Sequence, residues 1–209
     1  MDTLAQVTRP SSGTPVQRTR LIGWLTFATF LGVFIAGEAP YFPSSLSLIV
    51  LAGILLMLFG MIPVAVWLGD REAAAGAGIA RAAEWIGIAG MLGGVAGGTL
   101  LLEHWMSGNV AQIIQTTSLG AVGVWLVVAN ALAFRGRLIN RVLAVLGIAA
   151  GVGWLVPALI MWVEVSVGDP GGATPTLEAI RVSAEFFEIF YLIWAIWLGI
   201  WLIRRKHER

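Results

Sequence analysis

The sequence predicts an all-α, polytopic membrane protein: a bundle of six transmembrane helices with both termini in the cytoplasm. Hydrophobic residues make up 58% of the 209 residues and charged residues only 12%, whereas about 25% of a typical soluble domain is charged. Mean hydropathy is +0.85, and a water-facing fold of this size cannot bury so much apolar surface. Six apolar runs, each long enough to cross a bilayer as a helix, are the third observation.

The six runs divide the chain into a polar cytoplasmic tail (residues 1–20), a transmembrane domain (residues 21–203) and a basic cytoplasmic tail (residues 204–209). Helices are expected because a spanning segment must satisfy its own backbone hydrogen bonds. The predicted spans are Leu21–Tyr41, Ser45–Leu68, Glu84–Trp105, Ile113–Phe134, Val142–Trp162 and Arg181–Ile203.

Local features justify the limits of these spans in order. The first is predicted to be a retained helix and not a secretory signal, because its apolar run is long and Glu38 and Pro40 interrupt the cleavage motif. The second ends before a charged loop. Trp85 and Trp105 bracket the third at the spacing of two interfacial aromatic belts. A short basic loop separates the fourth from the fifth, and Arg204 follows the sixth.

Twelve of the thirteen lysines and arginines fall on one side of this topology, and only Arg181 lies opposite. The positive-inside rule therefore places both termini in the cytoplasm. Acidic residues divide unequally as well, so the cytoplasmic side carries a net charge of +7 and the outer side −6. Because the rule concerns cations only, it leaves the acidic excess on the outer side unexplained, and we place the candidate site there.

Arg181, Glu185 and Glu188 are spaced i, i+4, i+7 and therefore share one stripe of the last helix. A carboxylate in hydrocarbon is costly, so this stripe is expected to face the bundle interior or a wet cavity. Glu38 and Glu164 reach the same outer level and are predicted to contribute to the same ligand-binding or proton-binding cluster. The alternative is an interhelical hydrogen-bond clamp without turnover or transport.

Glu103 and His104 adjoin each other at the outer end of the third span, which suggests a metal site. Carboxylates and one imidazole suit divalent cations such as Zn²⁺, Mn²⁺ or Fe²⁺. The alternative is that both are polar groups at the headgroup level beside Trp105. A haem or pigment is a weaker hypothesis for the cofactor, which the sequence leaves unknown, and the absence of cysteine excludes thiolate ligands and disulfides.

Other features of the sequence indicate which classes of molecule the protein binds. A net charge of +1 argues against nucleic-acid binding, and no phosphate-binding loop supports a nucleotide. Gly90, Gly94 and Gly98 repeat every four residues in the third span, a pattern that predicts a close helix crossing. The expected partners are the lipid bilayer and either subunits of a membrane complex or further copies of the chain.

The segment from Asn130 to Gly151 joins a polar-ended fourth span, a basic loop and a Leu- and Gly-rich fifth span. With the general layout of the spans, it resembles a group of uncharacterised bacterial six-helix membrane proteins. The resemblance implies the topology and a bacterial inner membrane, and it carries no activity or site residue.

Three functions remain open. The first is a small transporter or ion-conducting protein whose outer cluster binds a cation or a proton-linked substrate. The second is a non-catalytic subunit of a respiratory or photosynthetic complex, suggested by the small size and the glycine-rich face. The third is a metal-dependent membrane enzyme using His104, although no catalytic motif accompanies it.

Overall fold

The computed structural model of the protein describes residues 15–37, 47–74, 78–102, 108–166, 179–180, 182–183 and 188–204. This part of the chain is helical and contains no strand, which confirms the all-α prediction for it. Its long helices are α1 (Pro15–Gly37), α2 (Ser47–Ala74), α3 (Gly78–Leu102), α4 (Gly108–Arg135), α5 (Arg141–Ser166) and α6 (Glu188–Arg204).

Within the described ranges, three stretches are long and apolar enough to cross a membrane: Gly78–Gly97, Ile113–Arg135 and Arg141–Ser166. A shorter apolar helix, Ile189–Arg204, is found near the end of the chain. The predicted sixth span began at Arg181, but residues 181 and 184–187 lie outside the described part, so α6 as described begins at Glu188. Length and composition therefore support a membrane protein.

The six helices form a closed ring. Each packs against its neighbours in sequence, and α6 packs against α1. Close contacts of Gly32 with Met57, Gly97 with Ile114, and Gly199 with Phe27 show that neighbouring helices run antiparallel. As a result, one end of the ring, here called the basic end, collects Arg18, Arg20, Arg71, Arg81, Arg135, Arg141 and Arg204.

Small residues let the helices approach closely where the sequence predicted a crossing. In α3, a Cβ atom added at Gly90 would lie 2.6 Å from the Ser118 carbonyl oxygen of α4, and one added at Gly97 would lie 2.9 Å from Ile114. Gly123 of α4 and Gly151 of α5 form a reciprocal pair, because a Cβ on either would lie 2.7 Å from the other's carbonyl oxygen. Of the predicted stripe, Gly90 therefore packs on α4, together with Gly97 beside it.

The turn between α4 and α5 is closed by backbone hydrogen bonds from Gly136 N to Leu132 O (2.8 Å) and from Leu138 N to Ala133 O (2.9 Å). Arg137 has a φ of 53° there, in the left-handed region that often ends a helix. Asn140 then caps α5, since its Oδ1 accepts a hydrogen bond from Val142 N at 2.9 Å. These contacts hold the basic loop in a short connection.

Fully buried side chains follow helical stripes that face the centre of the ring. In α2 they include Met61, Val64, Ala65 and Leu68, and the stripe of α6 consists of Tyr191, Trp194, Ala195, Leu198 and Leu202. The outer surface carries large apolar side chains such as Trp85, Ile79 and Leu21, which are 60% exposed or more. A surface of this kind suits contact with lipid.

Candidate functional site

Of the residues predicted to form the outer cluster, Glu38, Arg181 and Glu185 lie outside the described residues, as do Glu103 and His104 of the predicted metal site. Glu188 is the first residue of α6, three positions before the buried Tyr191, but its side chain is not described. Glu164 lies near the end of α5 and is partly buried. The convergence of these groups on one cavity therefore remains a prediction.

The predicted metal site is also not tested by the described residues. Among the residues that the structure describes, no three His, Asp or Glu side chains come together in a geometry suited to a metal ion. Because Glu103 and His104 are not among those residues, the proposed divalent-cation site there stays a prediction.

Two carboxyl groups are buried at the basic end instead. Glu72 is 2% exposed and Glu84 is 4% exposed. Glu72 follows Leu68 by four residues and Met61 by eleven, so it continues the buried stripe of α2. Glu84 precedes Met91 by seven residues and lies on the buried stripe of α3. Helical periodicity therefore turns both side chains into the ring.

One arginine connects the acidic groups of these two helices. Arg81 of α3 donates from Nη1 to Glu84 Oε2 and from Nη2 to Asp70 Oδ1, each at 2.6 Å. Gly69 of α2 makes room for this arrangement, because a Cβ atom there would overlap the Glu84 carboxylate. Arg81 therefore pairs with both carboxylates, and its single positive charge offsets one of their two negative charges. Glu72 Oε1 has no hydrogen-bond partner among the described residues.

Glu72 differs from these neighbours in its environment. Its Oε1 atom is buried, and no described residue forms a hydrogen bond with it. Burial, and secondarily the negative charge of Glu84, raises the pKa of Glu72 to about 8 from the ordinary 4.5. The residue lies beyond the predicted second span, which ends at Leu68, in the last turns of α2. Glu72 can therefore gain and lose a proton near neutral pH.

Farther from the basic end, polar groups pair inside the ring. Asn130 Nδ2 donates to Leu126 O at 2.8 Å, while Asn130 Oδ1 accepts a hydrogen bond from Trp194 Nε1 at 3.0 Å. On the α1 side, the Tyr191 hydroxyl donates to Thr29 Oγ1 at 3.1 Å. Each of these groups has a partner, as buried polar groups in an apolar interior require.

Aromatic rings surround these hydrogen bonds. Trp154 and Tyr191 have ring centroids 4.5 Å apart, and Trp125 meets Trp194 edge to face at 6.5 Å. Asn130 also occupies the space that a side chain at Gly147 would fill. The centre of the ring is therefore a packed aromatic core with satisfied polar groups, a structural arrangement more than a binding cavity.

In the sequence, Glu84 begins the predicted third span, and Glu72 lies in the charged loop that follows the second. The signal that could have identified Glu72 is its spacing from Leu68 and Ala65, which extends an apolar stripe by one more turn. Residue spacing could not show that Glu72 Oε1 lacks a hydrogen-bond partner among the described residues. Arg81, the nearby cation on α3, contacts Glu84 on its own helix and Asp70 on α2, and this choice depends on how the two helices pack.

Chemically, the basic end combines one buried carboxyl group able to titrate near neutral pH with a second carboxylate held by an arginine. Such a pair can store and release a proton, whereas the described residues offer no nucleophile and base in contact. Comparisons of the chain with models of known protein families, with curated proteins and with solved structures found no match.

Proposed function

We propose that this protein is a small transporter or ion-conducting protein of a bacterial inner membrane, linked to proton exchange. In this proposal it crosses the bilayer six times, and both termini and the basic end face the cytoplasm. The distribution of lysine and arginine in the sequence supports that orientation. The ring of antiparallel helices supports it too, because it brings the arginine-bearing helix ends together.

The buried Glu72 carboxyl carries the proposal. A carboxyl group that is buried just beyond the end of the second span and titrates near neutral pH is a candidate functional group, and in this proposal it lies at the cytoplasmic mouth of the ion or proton pathway. With a pKa of about 8, Glu72 changes its charge state close to physiological pH. Its Oε1 has no hydrogen-bond partner among the described residues, so neither protonation state is locked in place.

Charged groups at the basic end, where Glu72 lies, come from every helix that packs on α2. Helix α3 supplies Glu84 and Arg81, and the preceding turn of α2 supplies Asp70 and Arg71. At the same end, α1 and α4 carry Arg18, Arg20 and Arg135. Loss of the Glu72 proton adds a negative charge beside Glu84, and this charge would compete for Arg81.

The predicted outer cluster gives the pathway its second end. Glu188 begins α6, whereas Arg204 ends it at the basic end. Sixteen residues separate them, or about 24 Å along the helix axis. In the proposal, Glu185 and Glu188 bind the proton or cation on the outer side, Arg181 balances part of their charge, and Glu72 exchanges the proton with the cytoplasm.

Proton flux in vesicles tests the proposal. The purified protein is reconstituted into liposomes that contain a pH-sensitive dye, and a pH gradient is applied with valinomycin and potassium present to prevent a membrane potential. We expect Glu72→Gln to reduce the flux at least tenfold, because glutamine keeps the size of the protonated side chain but cannot exchange its proton. Glu188→Gln is expected to abolish flux from the other end.

Asp70→Asn is the matched control, since it also neutralises a carboxylate at the basic end, but an exposed one that pairs with Arg81. Its flux is expected to stay within about twofold of the wild type. Equal flux in the wild type and in folded Glu72→Gln protein would show that the carboxyl is only structural and would refute the proposal.

A further inference from the structure

A groove with a volume of about 670 Å³ opens between α1 and α2 at the basic end. It lies within the range of about 300–1,000 Å³ typical of small-molecule sites. Its lining extends over a stretch of eight residues of α1, from Arg18 to Leu25, and a stretch of ten residues of α2, from Ile62 to Arg71. At 1.5 Å per residue, the groove runs along the helices for about 10–14 Å.

The chemistry of the lining changes along that length. Away from the basic end it is apolar, with Leu25, Ile62, Pro63 and Val66. At the basic end it holds polar groups: Arg18, Asp70 and Arg71. This order matches an amphiphile, whose apolar chain enters the bilayer while its polar head stays at the surface.

The polar end of the groove carries a net positive charge. Arg18 and Arg71 each contribute a guanidinium, whereas the single carboxylate, Asp70, is bound by Arg81 at 2.6 Å. The Arg71 guanidinium lies 4.5 Å from the centre of the Trp67 ring, and Trp67 is itself part of the lining. This cation–π contact holds one positive charge at the mouth of the groove.

We propose that this groove binds one anionic phospholipid of the cytoplasmic leaflet, with the phosphate between Arg18 and Arg71 and an acyl chain along Leu25, Ile62 and Val66. Basic sites between helices on the cytoplasmic side are suited to anionic headgroups. Guanidinium groups bind phosphate oxygens through two parallel hydrogen bonds. The inference rests on the proposed membrane topology, and it does not require proton exchange at Glu72.

Lipid binding is measured by native mass spectrometry of the full-length protein, delipidated in detergent and titrated with phosphatidylglycerol or phosphatidylethanolamine. We expect one phosphatidylglycerol to bind per chain, at least tenfold more tightly than phosphatidylethanolamine. The Arg18→Gln/Arg71→Gln variant is expected to raise the Kd for phosphatidylglycerol about 30-fold, since each cation near an anionic headgroup contributes about a fivefold gain in affinity.

The control variant Arg135→Gln/Arg137→Gln removes the same charge from the same end but outside the groove, and its Kd is expected to change less than threefold. Val66→Trp fills the apolar part of the groove while both arginines remain, and it is expected to raise the Kd about tenfold. Arg18→Gln alone alters one exposed side chain and keeps the test valid if the double variant does not fold; about fivefold weaker binding is expected.

Equal affinity for the two lipids, equal losses in the groove and control variants, or full binding by Val66→Trp would each overturn the inference. Displacement of phosphatidylglycerol by an equal concentration of inorganic phosphate would do so as well, because it would indicate a free-anion site. Glu72→Gln is expected to bind lipid as the wild type does. A failure of proton flux is therefore distinguishable from a failure of lipid binding.

Discussion

At the scale of single residues, burial outweighs charge in determining the behaviour of Glu72. The loss of hydration is the larger cause of its raised pKa, and the charge of Glu84 is the smaller one. Glu84 is equally buried, but it pairs with Arg81 at 2.6 Å. Two buried carboxyl groups on facing helices thus have different environments because the arginine contacts only one of them.

The raised pKa of Glu72 has a consequence for stability. The folded protein retains a proton on Glu72 up to about pH 8, whereas the unfolded chain releases it near pH 4.5. Glu72 therefore contributes stability that is fully present below pH 4.5 and is lost as the pH rises to about 8. Since one pKa unit corresponds to about 1.4 kcal/mol, the loss is expected to be on the order of 4 kcal/mol.

Thermal unfolding in detergent between pH 4.5 and pH 9 measures this loss as a fall in Tm. Glu72→Gln is expected to have a flatter profile than the wild type and to be the more stable of the two above pH 8. The exposed Asp70→Asn serves as the comparison. Parallel profiles for wild type and Glu72→Gln would contradict a raised pKa at this site.

At the scale of helices, glycine determines how closely neighbours pack. Gly123 and Gly151 approach through their backbones, and Gly23 and Gly199 do the same between α1 and α6, with 2.9 Å between an added Cβ on either and the other's carbonyl oxygen. Such small residues stabilise membrane helix pairs through van der Waals contact, since lipid offers no hydrophobic drive for helix association. The contact of α1 with α6 closes the ring.

Replacement of one such glycine tests the packing. Gly151→Ala places a methyl group against the carbonyl of Gly123 and the side chain of Val127, so α4 and α5 must separate. We expect a loss of about 1–3 kcal/mol in the free energy of unfolding, the range for overpacked cores, measured by denaturant titration in mixed micelles.

Gly78→Ala is the matched substitution, because no atom lies within 4 Å of a Cβ at that position. It is expected to be neutral or slightly stabilising, since alanine favours the helix. The same loss in both variants would mean that the effect comes from replacing a glycine in general and not from the crossing of α4 and α5.

At the scale of the whole molecule, alternation of helix direction separates charge along the ring. Every described arginine lies at the basic end, whereas Glu164 of α5 lies toward the other. Only an even number of crossings keeps the N-terminal and C-terminal basic segments on one side. The described arginines are therefore gathered at one end, as the predicted topology requires, while the net charges of +7 and −6 on the two sides stay a prediction.

Single-cysteine labelling tests this orientation, and the chain has no native cysteine to remove. We expect Gly136→Cys, in the turn between α4 and α5, to be protected from a membrane-impermeant maleimide in intact spheroplasts and labelled in inverted vesicles. Ser166→Cys, at the far end of α5, is expected to show the opposite pattern. Labelling of both positions from the same side would exclude a membrane crossing by α5.

The sequence alone determined the helical class, the predicted spans of α3, α4 and α5, and the close approach of α3 to a neighbour. These properties follow from hydropathy and from glycine spacing, both of which are local along the chain. Hydropathy also identified the helix ends at which the arginines gather. Apolar spans alternate with loops along the chain, so every second loop falls at the same end of the bundle.

Only the tertiary structure decided which helix receives the glycine stripe of α3, which carboxyl group Arg81 pairs with, and where a groove opens. Glu72, Glu84 and Asp70 are all acidic residues near helix ends in the sequence, and nothing in their spacing distinguishes their partners. The distinction arises because Gly69 admits the Glu84 carboxylate between α2 and α3, where Arg81 can reach it and Asp70 together. Pairing across helices depends on three-dimensional packing. Local sequence patterns therefore do not encode which carboxyl groups Arg81 contacts, nor that Glu72 Oε1 is buried without a hydrogen bond to any described residue.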